Sequence, residues 1–463
     1  MIFSSTLFLF IYLPTVLLIY FAIPKKYIMA KNIELLIASL VFYAWGESIN
    51  IILMLGSILA NYVFGILLEK YNEKRKRKAV LIVSLIFNLG LLFFFKYINF
   101  FTGNAFPSIV LPIGISFFTF QIMSYTVDVY LGNVKTQKNF FDLALYISLF
   151  PQLIAGPIVR YIDIEKELKK REYDMDSVFR GVCRFTMGLA KKVIISNSVA
   201  SIADNIFKIT PFDLSAATAW LGAIAYTLQI YFDFSGYSDM AIGIGKMLGF
   251  NFLENFNYPY VSRSVQEFWR RWHMSLSTWF KDYLYIPLGG NRKGKFRTYL
   301  NLTIVFLCTG FWHGAAWTFV VWGMYHGLFQ IMERLFLKKA LDKIPKFFGH
   351  VYTILVFVIG WVIFRAPDVV YAWQFVIRMF SFDKWGWMNA MAQLDGYYSL
   401  VIIFIGILLS IPIVPLLGKK IESQKGGKTA VNVIRGIGMM VLFFCSVLCL
   451  TGSDYNPFIY FRF

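Results

Sequence analysis

The sequence predicts an all-α, polytopic membrane protein, a single integral membrane domain over residues 1–463, and three observations carry that prediction. Of the 463 residues, 58% are hydrophobic and 19% aromatic, with a mean hydropathy of +0.60. That is more apolar surface than one soluble core can hide beneath a charged shell. Apolar stretches of the length that spans hydrocarbon recur along the whole chain, enough for roughly ten to twelve membrane-embedded helices, some of them re-entrant or interfacial. The formal net charge of +19 collects in loops between those stretches, where Lys and Arg are retained on the cytoplasmic face. The basic balance therefore reads as topology and contact with membrane lipid, not as nucleic-acid binding.

In chain order, the first apolar run, residues 2–23, has no basic segment before it and no small-residue cleavage site after it, so it reads as a retained helix. Pro24-Lys25-Lys26 and Lys31 place the following loop inside and the N-terminus outside. Residues 33–45 and 49–68, broken at Gly46-Glu47-Ser48, read as a helical hairpin. It returns at Glu69 to Lys78, where six Lys or Arg stand against two Glu. Residues 79–101 lead out and 108–130 back. The stretch 140–161 contains Pro151, Gly156 and Pro157, a pattern suited to a broken or re-entrant helix lining a cavity. Residues 163–176 are charged and interfacial, 178–200 apolar but interrupted by cations, and 214–234 a cleaner span. Asp233 and Asp239 then lie among apolar neighbours, where an ionisable group marks a functional cavity or caps helix ends. Further helices are expected over 351–364, 397–417 and 433–451. Trp373, Phe380, Trp385 and Trp387 suit an interfacial segment, and Ser423 to Lys428 a basic loop. Cys183, Cys308, Cys445 and Cys449 show no paired or metal-ligand spacing.

Residues 266–327 hold three of the four histidines, and a hydrophobic chain that gathers its imidazoles has placed its usual proton-transfer groups there. Trp269, Trp272, Leu276, Trp279, Phe280 and Tyr283 form one stripe at helical spacing, so an amphipathic helix is expected, with His273 beside the stripe. Taken alone, His273 reads as a structural histidine. Pro287-Leu288-Gly289-Gly290 turns the chain into a loop carrying Arg292, Lys293, Lys295 and Arg297, which either marks the cytoplasmic side or holds a polyanion. Residues 299–323 read as a membrane helix in which His313 is flanked by Gly314, Ala315 and Ala316, small residues that admit a second helix or a thin substrate. In a continuous helix His326 points about 140° away from His313, so the two do not share an ion. The chain has no HExxH, GxSxG or CxxC, so neither metal hydrolysis nor a serine nucleophile has support.

The segments WRRWHMSLSTWFKDYLYIPLGG and FWHGAAWTFVVWGMYHG closely resemble the membrane-bound O-acyltransferase (MBOAT) family, in its bacterial branch of polysaccharide O-acetyltransferases. FPQLIAGPIVR (150–160), YFDFSGYSDMAIGIGKMLGF (231–250) and the terminal PFIYFRF resemble that branch too. The resemblance implies helices around a central tunnel in the bacterial plasma membrane, and transfer of an acetyl group from cytoplasmic acetyl-CoA to an extracytoplasmic hydroxyl. It puts the family's principal histidine at His313 and its second at His273. Arg270, Arg271, Arg292 and Lys293 become candidates for the coenzyme phosphates, and an extracytoplasmic SGNH-type protein or the polysaccharide itself becomes the expected partner. D-alanyl transfer to teichoic acid is the alternative within the family. A proton-coupled transporter or flippase, or a noncatalytic scaffold, are the alternatives outside it.

Overall fold

A computed structural model describes residues 1–381, 386–394, 396–424, 427–452 and 455–459. Trp385, part of the Ser423–Lys428 loop, and the last residues of PFIYFRF lie outside that set. The described residues are mostly helical, with no strand among them. Helices Asn50–Lys70, Lys74–Phe101, Lys346–Arg365 and Val431–Thr451 are each long and apolar enough to cross a membrane. Tyr397–Leu409 and Ile413–Glu422 would make a fifth span, bent by 60°. Only 6% of the apolar window in Val431–Thr451 is buried inside the protein, so its surface is made for lipid rather than for a core.

Other expected spans are shorter, interrupted or charged. Residues 140–161 are broken as anticipated, into helices Phe140–Ser148 and Phe150–Leu153 and an extended stretch up to Arg160. The helix expected over 397–417 bends where Pro412, which has no N–H to donate, precedes its second half. The interrupted stretch 178–200 folds as helix Met175–Ala190, a π turn Lys191–Ser196 and helix Asn197–Ile206. The span expected over 214–234 and the Asp-bearing segment after it are one 32-residue helix, Ala216–Met247.

Close contacts divide the chain into two compact units, Met1–Phe185 with Tyr237–Glu254, and Thr186–Gly236 with Asn255–Phe463. Asp239 belongs to the first, where Arg184 holds it at 2.6 Å and also reaches Glu254 at 2.5 Å. Asp233 belongs to the second, which also contains every histidine. Its core is strongly aromatic, with Trp272, Trp322, Trp361, Phe268 and Phe357 among its buried members.

Candidate active site

The two central helices expected from the sequence are both broken, and each break carries a histidine. The stripe from Trp269 to Tyr283 does not lie on one helix. Helix Val265–Trp269 stops, and Met274–Phe280 begins after His273, whose backbone is left-handed at φ +44°. For a residue with a Cβ this conformation costs roughly 1–3 kcal/mol and persists only where its surroundings fix it. They do so here: the Met274 N–H donates to the Asn255 carbonyl at 3.0 Å, and the Asn257 N–H to the Arg271 carbonyl at 2.9 Å. Periodicity had no means of showing this break, because the residues flanking His273 keep helical spacing.

Likewise the helix expected over 299–323 ends at His313, the last residue of Gly294–His313, and a second helix starts at Trp317. Gly314 between them is fully extended (φ −173°, ψ 160°). A Cβ on Gly314 would lie 2.2 Å from the Phe319 ring, so glycine is required by close approach rather than by its dihedrals. The break also removes the continuous helix on which the 140° separation of the histidines depended. Trp322 lies edge-on to both, 5.1 Å from His313 and 5.0 Å from His326.

The two motif histidines converge within the second unit. Trp312 stands 5.0 Å from the His313 ring and 5.9 Å from that of His273, and Phe234, which meets the His273 ring, also lines the cavity at His313. His273 is buried and fixed by Asn255, a residue that no motif or spacing singles out. Its Nδ1 lies 3.2 Å from Asn255 Oδ1, which also accepts from the Ser275 hydroxyl at 2.9 Å and the Ser275 N–H at 3.2 Å. Oδ1 is an acceptor, so the pairing puts a proton on Nδ1 and leaves Nε2 as the lone-pair nitrogen. Nε2 has no hydrogen-bond partner among the described residues. Phe234 meets the same ring edge-on at 4.6 Å.

His313 lines a small cavity whose other walls are Ile230, Phe234, Trp272, Trp322, Trp361, Phe364 and Ile459. Seven of these eight walls are hydrocarbon or aromatic, so this is an apolar chamber presenting one titratable group. No group of three His, Cys, Asp or Glu able to hold a metal ion occurs among the described residues. His326 faces the Phe357 ring at 4.8 Å, and neither of its ring nitrogens is hydrogen-bonded among the described residues.

The basic candidates divide. Arg271 is committed to the fold, with Nε and Nη2 donating to Glu267 Oε1 at 3.1 and 2.9 Å and Nη1 to the Asn257 carbonyl at 3.2 Å. Arg270, Arg292 and Lys293 are exposed. The loop bearing the last two turns through Gly289 and Gly290, both at positive φ, and Asn301 Nδ2 ties it back by donating to the Gly290 carbonyl at 2.9 Å.

An apolar, many-helix chain that carries two imidazoles on helix breaks, one of them lining an apolar chamber, is a membrane protein with a candidate active site. The chain belongs to MBOAT, the membrane-bound O-acyltransferase family, whose sequence model matches residues 16–372. It is 38% identical to a probable alginate O-acetylase of Azotobacter vinelandii, with all of both chains covered. It is 38% identical to the peptidoglycan O-acetyltransferase of Helicobacter pylori over 80% of this chain and 78% of that one. A teichoic acid D-alanyltransferase of Bacillus subtilis is more distant, 30% identical over 49% of this chain and 60% of its own. The protein is thus a polytopic membrane O-acyltransferase, and the alternatives outside that class fall away.

Proposed function

We propose that the protein moves an acetyl group from cytoplasmic acetyl-CoA to a hydroxyl of an exported polysaccharide, such as alginate or a cell-wall glycan, at the bacterial plasma membrane. The observation that carries this reading is the convergence of His313 and His273 beside one apolar chamber. It is supported by full-length similarity to an alginate O-acetylase, where the D-alanyltransferase similarity covers only half the chain. His313 acts as the general base. It takes the proton of the acceptor hydroxyl as that oxygen attacks the thioester carbonyl; the carbon–sulfur bond then breaks, and the thiolate recovers the proton from the imidazolium. The products are the acetyl ester and free coenzyme A, and no covalent enzyme intermediate is required. His273, oriented by Asn255, presents Nε2 beside the same aromatic wall. The acceptor is either the polysaccharide or an extracytoplasmic SGNH-type protein that completes transfer.

The donor's phosphates are held by Arg270, Arg292 and Lys293, which are exposed, more than by Arg271, which is already paired. Charge-assisted contacts contribute roughly 1.5–3 kcal/mol each before screening. In a detergent assay of acetyl-CoA-dependent ester formation with thiol release, Arg292→Ala/Lys293→Ala is expected to raise KM for the donor about tenfold or more, with a smaller effect on kcat and a weaker salt dependence. Unchanged KM and salt dependence would leave the loop as a topology signal. No ester formation by folded wild-type protein would overturn the acetyl-CoA reading itself.

The orientation, with the N-terminus outside, follows from the basic loop Glu69 to Lys78. In intact cells, a single cysteine at Gly103 is expected to react with an impermeant thiol reagent, and one within Glu69–Lys78 to be protected. The reverse labelling pattern inverts the topology.

A further inference from the structure

Asp233, the carboxylate flagged by its apolar neighbours, has no part in the proton transfer above, yet it is buried in the second unit. Lys192 Nζ, equally buried in the π turn Lys191–Ser196, lies 2.7 Å from Asp233 Oδ1. The other carboxylate oxygen accepts the backbone N–H of Ile459 at 2.8 Å. Lys192 Nζ also donates to the Pro457 carbonyl. A second ion pair holds the start of the same segment. Tyr455 OH donates to Asp204 Oδ2 at 2.7 Å, and Arg365 Nη2 meets Asp204 Oδ1, also at 2.7 Å. Asn197 Nδ2 adds a bond to Asn456 Oδ1 at 3.2 Å. Residues 455–459 have no regular structure of their own over most of their length. They are nonetheless strapped down by two buried or half-buried ion pairs, and the product of that strapping is one side chain, Ile459, in the wall of the His313 chamber. A buried ion pair is a poor source of stability but a good means of fixing one geometry.

We infer that the segment 455–459 is a strap whose Ile459 side chain sets the size of the acyl chamber, and that the Lys192–Asp233 pair positions it. The inference rests on the reading of His313 as the base for acyl transfer. It makes Ile459 a specificity-determining residue and Asp233 a positioning residue. One methylene too many in an apolar pocket is worth roughly 10–200-fold in discrimination. Ile459→Ala removes three carbons from the wall, enough to admit the one or two methylenes of propionyl or butyryl.

The test is a series of acetyl-, propionyl- and butyryl-CoA with full-length purified protein, reading kcat/KM for each donor. Wild type is expected to prefer acetyl over butyryl by tenfold or more. Ile459→Ala is expected to narrow that ratio by about tenfold, and Ile459→Phe to depress propionyl and butyryl transfer further. Asp233→Asn keeps an oxygen for the Ile459 N–H but loses the ion pair, and is expected to relax the ratio in the direction of Ile459→Ala. A merely structural role would lower all three donors in parallel. If wild type transfers acetyl but the ratio is the same in Ile459→Ala and Ile459→Phe, the strap does not gauge the acyl group. If wild type transfers no acyl group from any donor, the underlying reading of the site fails instead.

Discussion

Replacing His313 by alanine is expected to lower acyl transfer by about 10²–10⁴-fold, the usual contribution of a general base. That corresponds to roughly 2.7–5.5 kcal/mol of transition-state stabilisation. The chamber leaves nothing to take its place: the other walls are Ile230, Phe234, Trp272, Trp322, Trp361, Phe364 and Ile459, and indole N–H groups donate but do not accept protons. His313→Gln, which keeps bulk and polarity without basicity, is expected to fail comparably. His273→Ala is expected to be milder, because His273 lies outside the chamber wall and acts beside it. The measurements are ester content of the exported glycan in cells and turnover of purified protein, each normalised to membrane abundance. Wild-type transfer by His313→Ala at normal abundance would remove this imidazole from the mechanism.

Composition and loop charge made the fold class legible, since neither depends on where helices break. The motifs singled out His313 and His273 as candidates. Their spatial relation was not legible. Gly314-Ala315-Ala316 reads as a tolerable helical stretch, and only the Phe319 ring lying over Gly314 shows why the chain must leave the helix there. His273 keeps its place in an apolar stripe, yet its left-handed backbone is imposed by Asn255 and Asn257, more than a dozen residues upstream, through tertiary hydrogen bonds that no local propensity encodes. Asp233 could be flagged as expensive but not explained, because its partners, Lys192 and the Ile459 N–H, are distant in sequence. The count of ten to twelve embedded helices allowed for re-entrant and interfacial ones, but not for where each would break. Proline at 412 and glycine at 314 are punctuation that divides apolar runs, and in a protein that lines its own cavity irregular backbone is tolerated at depth.

The crossing that delivers His313 yields the last prediction. Helices Gly294–His313 and Trp317–Met332 pack so tightly that a Cβ on Gly310 would lie 2.4 Å from the Phe319 carbonyl oxygen, and one on Gly323 2.4 Å from the Phe306 carbonyl oxygen. The obstacles are backbone atoms of the opposite helix, which no side-chain rotation can move. Relief to ordinary contact at 3.4 Å needs the helices to part by about 1 Å, and His313 sits three residues beyond Gly310 on the helix that must move. Overpacking by a methyl typically costs 1–3 kcal/mol, and misplacing a catalytic group by 1 Å can cost about 10²-fold in rate. Gly310→Ala or Gly323→Ala is therefore expected to lower Tm in detergent and to cut turnover about 10²-fold in the protein that still folds. Gly323→Val is expected to remove the protein from the membrane fraction. Gly56→Ala serves as the control: it lies in the spanning helix Asn50–Lys70 with nothing within 4 Å of its Cβ position. Alanine there is expected to leave turnover unchanged and stability equal or slightly higher, since alanine is favoured over glycine in a helix interior by roughly 0.5–1 kcal/mol. If Gly323→Ala behaves like Gly56→Ala in both Tm and turnover, the close crossing does not hold His313 in place.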